Sequence, residues 1–129
     1  MTRYITVEEL LAYHHELMLQ HGQQAILLSR DKLEAAIARP QTVVFGEEAF
    51  ATVAEKAAVL LQSILIGHPF SDGNKRAGAA AMLAFLELSG ATMPDDSDEL
   101  YDFVIAVTTG ELREVEDIAG RIRELFPGA

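Results

Sequence analysis

EEAFATVAEKAAVLLQSILIGHPFSDGNKRAGAAAMLAFLEL, residues 47–88, decides the fold. Two apolar runs flank a short polar insert. From about Glu47 to Ile66 the residues are rich in Ala, Leu and Val, and the apolar positions wrap most of a helical circumference. That pattern predicts a central, largely buried helix. Gly67 breaks it, His68 to Asn74 reads as a loop, and Lys75 to Leu88 reads as a second buried helix ending at Ser89-Gly90.

Working outward, Thr6 to Glu9 is a capping box, T-x-x-E, opening a helix through about Gln20. Leu10, Leu11, Leu17 and Met18 supply its apolar face, and Gly22 ends it. Ser29 suits the N-cap of a short helix running to about Ala38, before Pro40. Gln41 to Gly46 carries Thr42, Val43, Val44 and Phe45 and reads as a short extended flap. It is either an edge to which an extended target segment can pair or an apolar loop laid over the core. Asp95 and Asp96 precede a helix reaching about Thr108, with Asp98 and Glu99 in a solvated start that complements the helix dipole. Tyr101, Phe103 and Ile105 read as core, and Glu114 to Leu125 forms the last helix. The expectation is an all-α bundle of about six helices with a short flap, one domain over residues 1–129.

Composition narrows the function. The chain has 20 acidic and 10 basic residues, a net charge of -10. Such a balance disfavours sequence-independent nucleic-acid binding, which needs a basic stripe, but leaves room for a local anion site. With no cysteine there is no disulfide framework and no thiolate metal site. No apolar stretch approaches the length of a membrane span, and Glu8 and Glu9 interrupt any signal-like region, so a cytoplasmic protein is expected.

The insert HPFSDGNKR, residues 68–76, carries the chemistry. Gly73 and Asn74 stand where a helix begins, and the first amides of a helix have no acceptor inside it. Those amides and the positive end of the dipole make a phosphate seat, and glycine lets a ligand approach the backbone. Lys75 and Arg76 oppose the dipole, so they need an anion to justify their place. Asp72 offers a hard oxygen ligand beside the seat, and the His68 imidazole can accept a proton from a hydroxyl nucleophile. Phe70 anchors the loop in the core. Blander readings exist: Asp72 as an N-cap, His68 as a solvated histidine, Lys75-Arg76 as a solvated first turn. Each covers one residue, whereas a site for phosphoryl or nucleotidyl transfer covers them together. The insert is no Walker A loop, since its glycines are wrongly spaced and Arg76 stands where a Ser or Thr belongs. His15-Glu16 fails as a zinc motif because position 19 is leucine, and His14 and His21 suit a surface or packing role.

The insert resembles the signature loop of the Fic/Doc family. The Fic branch reads H-x-F-x-D/E-G-N-G-R-x-x-R and the Doc branch, the death-on-curing toxins, H-x-F-x-D/N-A/G-N-K-R. His68, Phe70, Asp72, Asn74, Lys75 and Arg76 all fall in place. ITVEELLAYHHEL, SRDKLEAAIARPQ and AEKAAVLLQSI resemble the Doc branch in order and spacing, so the likeness covers nearly the whole chain. It implies that His68 is the catalytic base, that Asp72 holds Mg²⁺ on the phosphates of ATP, and that Gly73, Asn74, Lys75 and Arg76 bind phosphate. Lys75 replaces the second glycine of the Fic motif and Ala79 its final arginine, while Gly73 is the Fic-like choice. The Doc-like changes imply a kinase that presents the γ-phosphate of ATP, with a threonine of elongation factor Tu as target. A Fic-type AMP transferase or a non-catalytic partner-binding module are the alternatives. The family's inhibitory motif (Ser or Thr, three residues, Glu, then Gly or Asn) does not occur in the sequence. The resemblance therefore implies a separate Phd-like antitoxin as partner, and neither a nucleic-acid nor a membrane partner.

Overall fold

Thr52, not Glu47, starts the central helix in a computed structural model of the protein, which describes residues 2–22, 26–95 and 97–129. The Thr52 side chain accepts from the Glu55 amide at 3.1 Å, and α3 runs Val53–Gly67. Ahead of it the chain is extended. After α1 (Val7–Gln20), α2 (Arg30–Ala38) and a single 3-10 turn (Arg39–Gln41), β1 (Val43–Val44) pairs antiparallel with β2 (Glu47–Glu48). Phe45 and Gly46 join them with φ of 51° and 80°, the left-handed pair that a two-residue hairpin requires. The apolar spacing at Ala49 and Phe50 imitates a helix, but the hairpin turn and the Thr52 cap override it. Residues 41–49 are exposed throughout, so the flap stands off the core rather than covering it.

The remaining elements are α4 (Asn74–Leu88), α5 (Ser97–Thr109) and α6 (Val115–Leu125), giving six α-helices among the described residues. Asp96 lies outside them. Helix α3 is the axis, packed by α2, α4 and α6. Ala54, Ala57, Ala58, Leu61 and Ile64 on α3 are fully buried, as are Ala77, Met82 and Leu86 on α4. Small residues bring these two helices close: a Cβ on Gly78 would lie 3.2 Å from Leu61 Cδ1. Phe85, Phe103 and Phe126 fill the bulk of the core. Tyr101, expected there, is 66% exposed and faces a groove between α4 and α5, while Ile105 is half-buried. Its position two residues from Phe103 turns it away from the core face.

Helix α1 has the expected capping box, with Glu9 N donating to Thr6 Oγ1 and Thr6 N to Glu9 Oε1. Its buried residues, Leu10, His14 and Met18, recur every fourth position and form one stripe. A buried cation ties the flap down. Lys56 on α3 is 2% exposed; its Nζ donates to the Phe50 carbonyl and lies 3.2 Å from Glu48 Oε1. No helix of the described residues is long and apolar enough to cross a membrane.

Candidate active site

The loop between α3 and α4 is held from three sides. At its start, His68 caps α3 in a left-handed conformation (φ 46°, ψ 58°) and donates its amide to the Ile64 carbonyl. A non-glycine residue adopts this shape only where its surroundings enforce it. Here the enforcement comes next in the chain. The Pro69 carbonyl accepts from Leu28 N at 2.7 Å, and Ser71 N donates to the Ile26 carbonyl at 2.8 Å. Ile26 N in turn donates to Ser71 Oγ, so residues 26–28 form a strand-like strut along the loop.

The second hold is internal. Asn74 Nδ2 donates to the Phe70 carbonyl at 2.9 Å, and Asn74 Oδ1 accepts from the Phe70 amide at 3.1 Å. The amide side chain thus serves as a clip across the loop, and Phe70, 2% exposed, is plugged into the core. Any phosphate contact of Asn74 falls to its backbone.

The third hold comes from α1. The His14 ring stacks on Phe70 with centroids 3.7 Å apart, and its Nε2–H donates to the Asp72 carbonyl at 2.9 Å. Because a carbonyl can only accept, the Nε2-protonated tautomer or the cation is required. The same helix explains Gly73. With φ of 76° it occupies the left-handed region, and a Cβ there would stand 2.8 Å from Met18 Sδ and 3.0 Å from His14 Nε2. The glycine gives room to α1 rather than to a ligand, a reason the sequence reading missed.

Beyond Gly73 the chain enters α4 with nothing capping it. Thr6, Ser29 and Thr52 each satisfy a first-turn amide of α1, α2 and α3, but α4 has no side-chain cap and no acidic residue in its first turn. The amides of Asn74, Lys75 and Arg76 therefore keep their donor capacity. Asp72 does not cap the helix; its Oδ1 accepts from the adjacent Gly73 amide at 2.8 Å. Among the described residues Lys75 and Arg76 form no ion pair, and both are exposed.

A cleft of about 760 Å³ opens over this helix start, lined by His68, Phe70, Asp72, Gly73, Asn74, Lys75 and Arg76. All the residues singled out in the insert thus meet at one cavity. Leu28, Ser71 and Thr108 complete its wall. Leu28 and Thr108 come from distant parts of the chain and carry no pattern that marks them in the sequence. His14 was legible only as a surface or packing residue, and it packs against the loop itself. His21 stands apart, exposed, its Nδ1–H donating to the Leu17 carbonyl. Arrangement and charge suit this cleft to an elongated polyanion: free amides, two unpaired cations, a carboxylate and an imidazole face one space.

The family described as "Fic/DOC family" matches residues 4–86, from the start of the chain to the last turn of α4. "Toxin Doc" of Mycolicibacterium smegmatis is 37% identical over 98 residues, covering 76% of this chain and 73% of that protein. "Protein kinase doc" of Escherichia phage P1 is 34% identical over 127 residues, 98% of each. The matched family region contains the strut, the loop and both helices that frame the cleft. This chain is a member of the Fic/DOC family.

Proposed function

We propose that the protein is a Doc-type toxin that transfers the γ-phosphoryl group of ATP to a hydroxyl on a protein of the translation machinery. One observation carries the reading: His68, Asp72 and the uncapped start of α4 with Lys75 and Arg76 face a single cleft. The phage P1 relative, named a protein kinase and matched along 98% of both chains, supports it.

In this reading the triphosphate lies beside Gly73 against the amides of Asn74, Lys75 and Arg76, with the Lys75 ammonium and the Arg76 guanidinium on phosphate oxygens. The residues present fit Mg²⁺. Asp72 is exposed at the cleft, and no cluster of three or more His, Asp or Glu exists among the described residues. That donor set matches an ion held by one carboxylate and the nucleotide's own phosphates. When bound, Mg²⁺ draws charge from the phosphate oxygens. His68 accepts the proton as the acceptor hydroxyl oxygen attacks the γ-phosphorus. The new O–P bond forms while the bond from γ-phosphorus to the bridging oxygen breaks. ADP leaves with that electron pair, and the proton passes from His68 to solvent. The acceptor is a threonine on elongation factor Tu or a similar protein, the site of action is the cytoplasm, and a Phd-like antitoxin silences the toxin.

AMP transfer, the Fic-type alternative, is the second reading; Gly73, whose conformation and close approach to α1 already account for it, does not decide between the two. Incubation with a cell extract and ATP labelled at the α- or the γ-phosphate separates the two. Label from γ supports the kinase, and label from α supports AMP transfer. Absence of both, with nucleotide still bound, leaves a binding module and defeats the enzymatic reading.

A further inference from the structure

His68 does not belong to the cleft alone. It also lines a second cavity of about 360 Å³, between the last turn of α3 and the α5–α6 connection. His68 and Thr108 line both cavities, and no other residue does. The second cavity has a firm floor. Gln62 Nε2 donates to the Arg113 carbonyl at 2.8 Å, and Leu112 N donates to the Ala106 carbonyl at 3.0 Å. Its rim holds Ile66, 74% exposed on the last turn of α3, and Arg113, whose guanidinium folds over Gly110. Among the described residues Arg113 makes no ion pair, in a chain where acidic residues outnumber basic ones two to one.

We propose that this second cavity is the acceptor site: an extended segment of the protein substrate lies across Ile66 and Arg113, with an acidic residue beside its reactive hydroxyl. The inference rests on the phosphoryl-transfer reading and specifies its other substrate. In-line transfer places the attacking and leaving oxygens on opposite sides of phosphorus. With the leaving ADP toward the start of α4, the attacking hydroxyl reaches phosphorus from the His68 end of the cleft, with the imidazole beside its path. That is where the second cavity opens. A general base must also touch the proton it removes, and His68 is one of two residues that reach both spaces. Ile66 supplies an apolar anchor for a neighbour of the acceptor residue. Arg113 selects a carboxylate beside it, since the guanidinium fork matches that group. The chain's overall negative charge would repel an acidic segment elsewhere, so an unpaired arginine at this rim confers position as well as attraction.

Ile66→Asp and Arg113→Glu test the assignment, alongside the wild-type chain. Each is assayed for MgATP affinity by calorimetry and for transfer of γ-label into protein of a cell extract. Two decapeptides with a central threonine, one flanked by Leu and Glu and one by Leu and Lys, serve as competitors. Both variants should bind MgATP as the wild type does yet label about tenfold more slowly, the scale of one lost anchor. The Glu peptide should suppress labelling by the wild type, and the Lys peptide should suppress only that by Arg113→Glu. Wild-type rates in both variants would sink the acceptor site and leave the kinase reading standing. Loss of MgATP affinity in the variants would also sink it, by assigning the groove to the nucleotide. A wild-type chain that binds MgATP but labels nothing would remove the kinase reading, and the acceptor site with it.

Discussion

His14 lies flat against Phe70, their ring centroids 3.7 Å apart and their planes 15° apart, while its Nε2–H reaches past the ring to the Asp72 carbonyl. One side chain of α1 thereby fixes both the anchor of the loop and the backbone that orients the carboxylate. His14→Ala removes the stacking and the hydrogen bond and leaves a hole beside Phe70. The expected cost is about 2–4 kcal/mol, the scale of a large-to-small core change plus a lost hydrogen bond. His14→Gln retains a donor at similar reach and should recover part of the transfer activity. Denaturant unfolding and labelling rates measure both effects. Equal activity in the two variants would show that the hydrogen bond to Asp72 does not matter.

His68 and Arg76 should separate chemistry from binding. His68→Ala is expected to abolish transfer while keeping MgATP affinity, because in the proposed reading the side chain meets the acceptor proton and not the triphosphate. Arg76→Ala should weaken MgATP binding itself by about ten- to a hundredfold, as a charge-assisted fork is worth roughly 1.5–3 kcal/mol. Growth arrest undiminished in the first variant, or normal affinity in the second, would contradict these roles.

Gly73→Ala puts a Cβ at a φ of 76°, against Met18 and His14. Left-handed backbone costs a non-glycine residue about 1–2 kcal/mol, and the contact with His14 adds to it. The melting temperature should fall, and the hydrogen bond from His14 to Asp72 should loosen with it. An unchanged melting temperature would mean that α1 gives way more easily than its buried position suggests.

The limits of the sequence as a guide are physical ones. Helix ends were legible where a side chain signals them, as Thr6 and Ser29 do, and the insert was legible because glycine, cations and a carboxylate crowd a helix start. The α3 boundary was misplaced although Thr52 and Glu55 stand in capping positions, because the alanines before them continue a helical spacing. Tyr101 was misassigned since hydrophobic character alone does not set which way a helix face points. The strut at residues 26–28 and the role of His14 are long-range contacts, with partners 45 and 58 residues away, and no local pattern encodes them.

Lys56 offers a test of the flap's attachment. Lys56→Met keeps a long apolar stem in the core and removes the donor to Phe50 and the partner of Glu48. Glu48 is half-exposed and can turn to water, but the Phe50 carbonyl loses a charged donor, so global stability should fall by about 1–3 kcal/mol. Amide exchange at residues 43–50 should accelerate most, as the hairpin loses its link to α3. Unaltered exchange there would assign the hairpin's position to its turn alone.

The strut has a consequence for synthesis. Residues 26–28 leave the ribosome well before their partners at 69–71, and Thr108, the far wall of the cleft, follows later still. A nascent chain stopped short of α5 has the signature loop but not the vessel around it. In the proposed reading, translation products truncated before α5 should therefore transfer nothing, and activity should begin only once Thr108 has taken its place in the cleft wall.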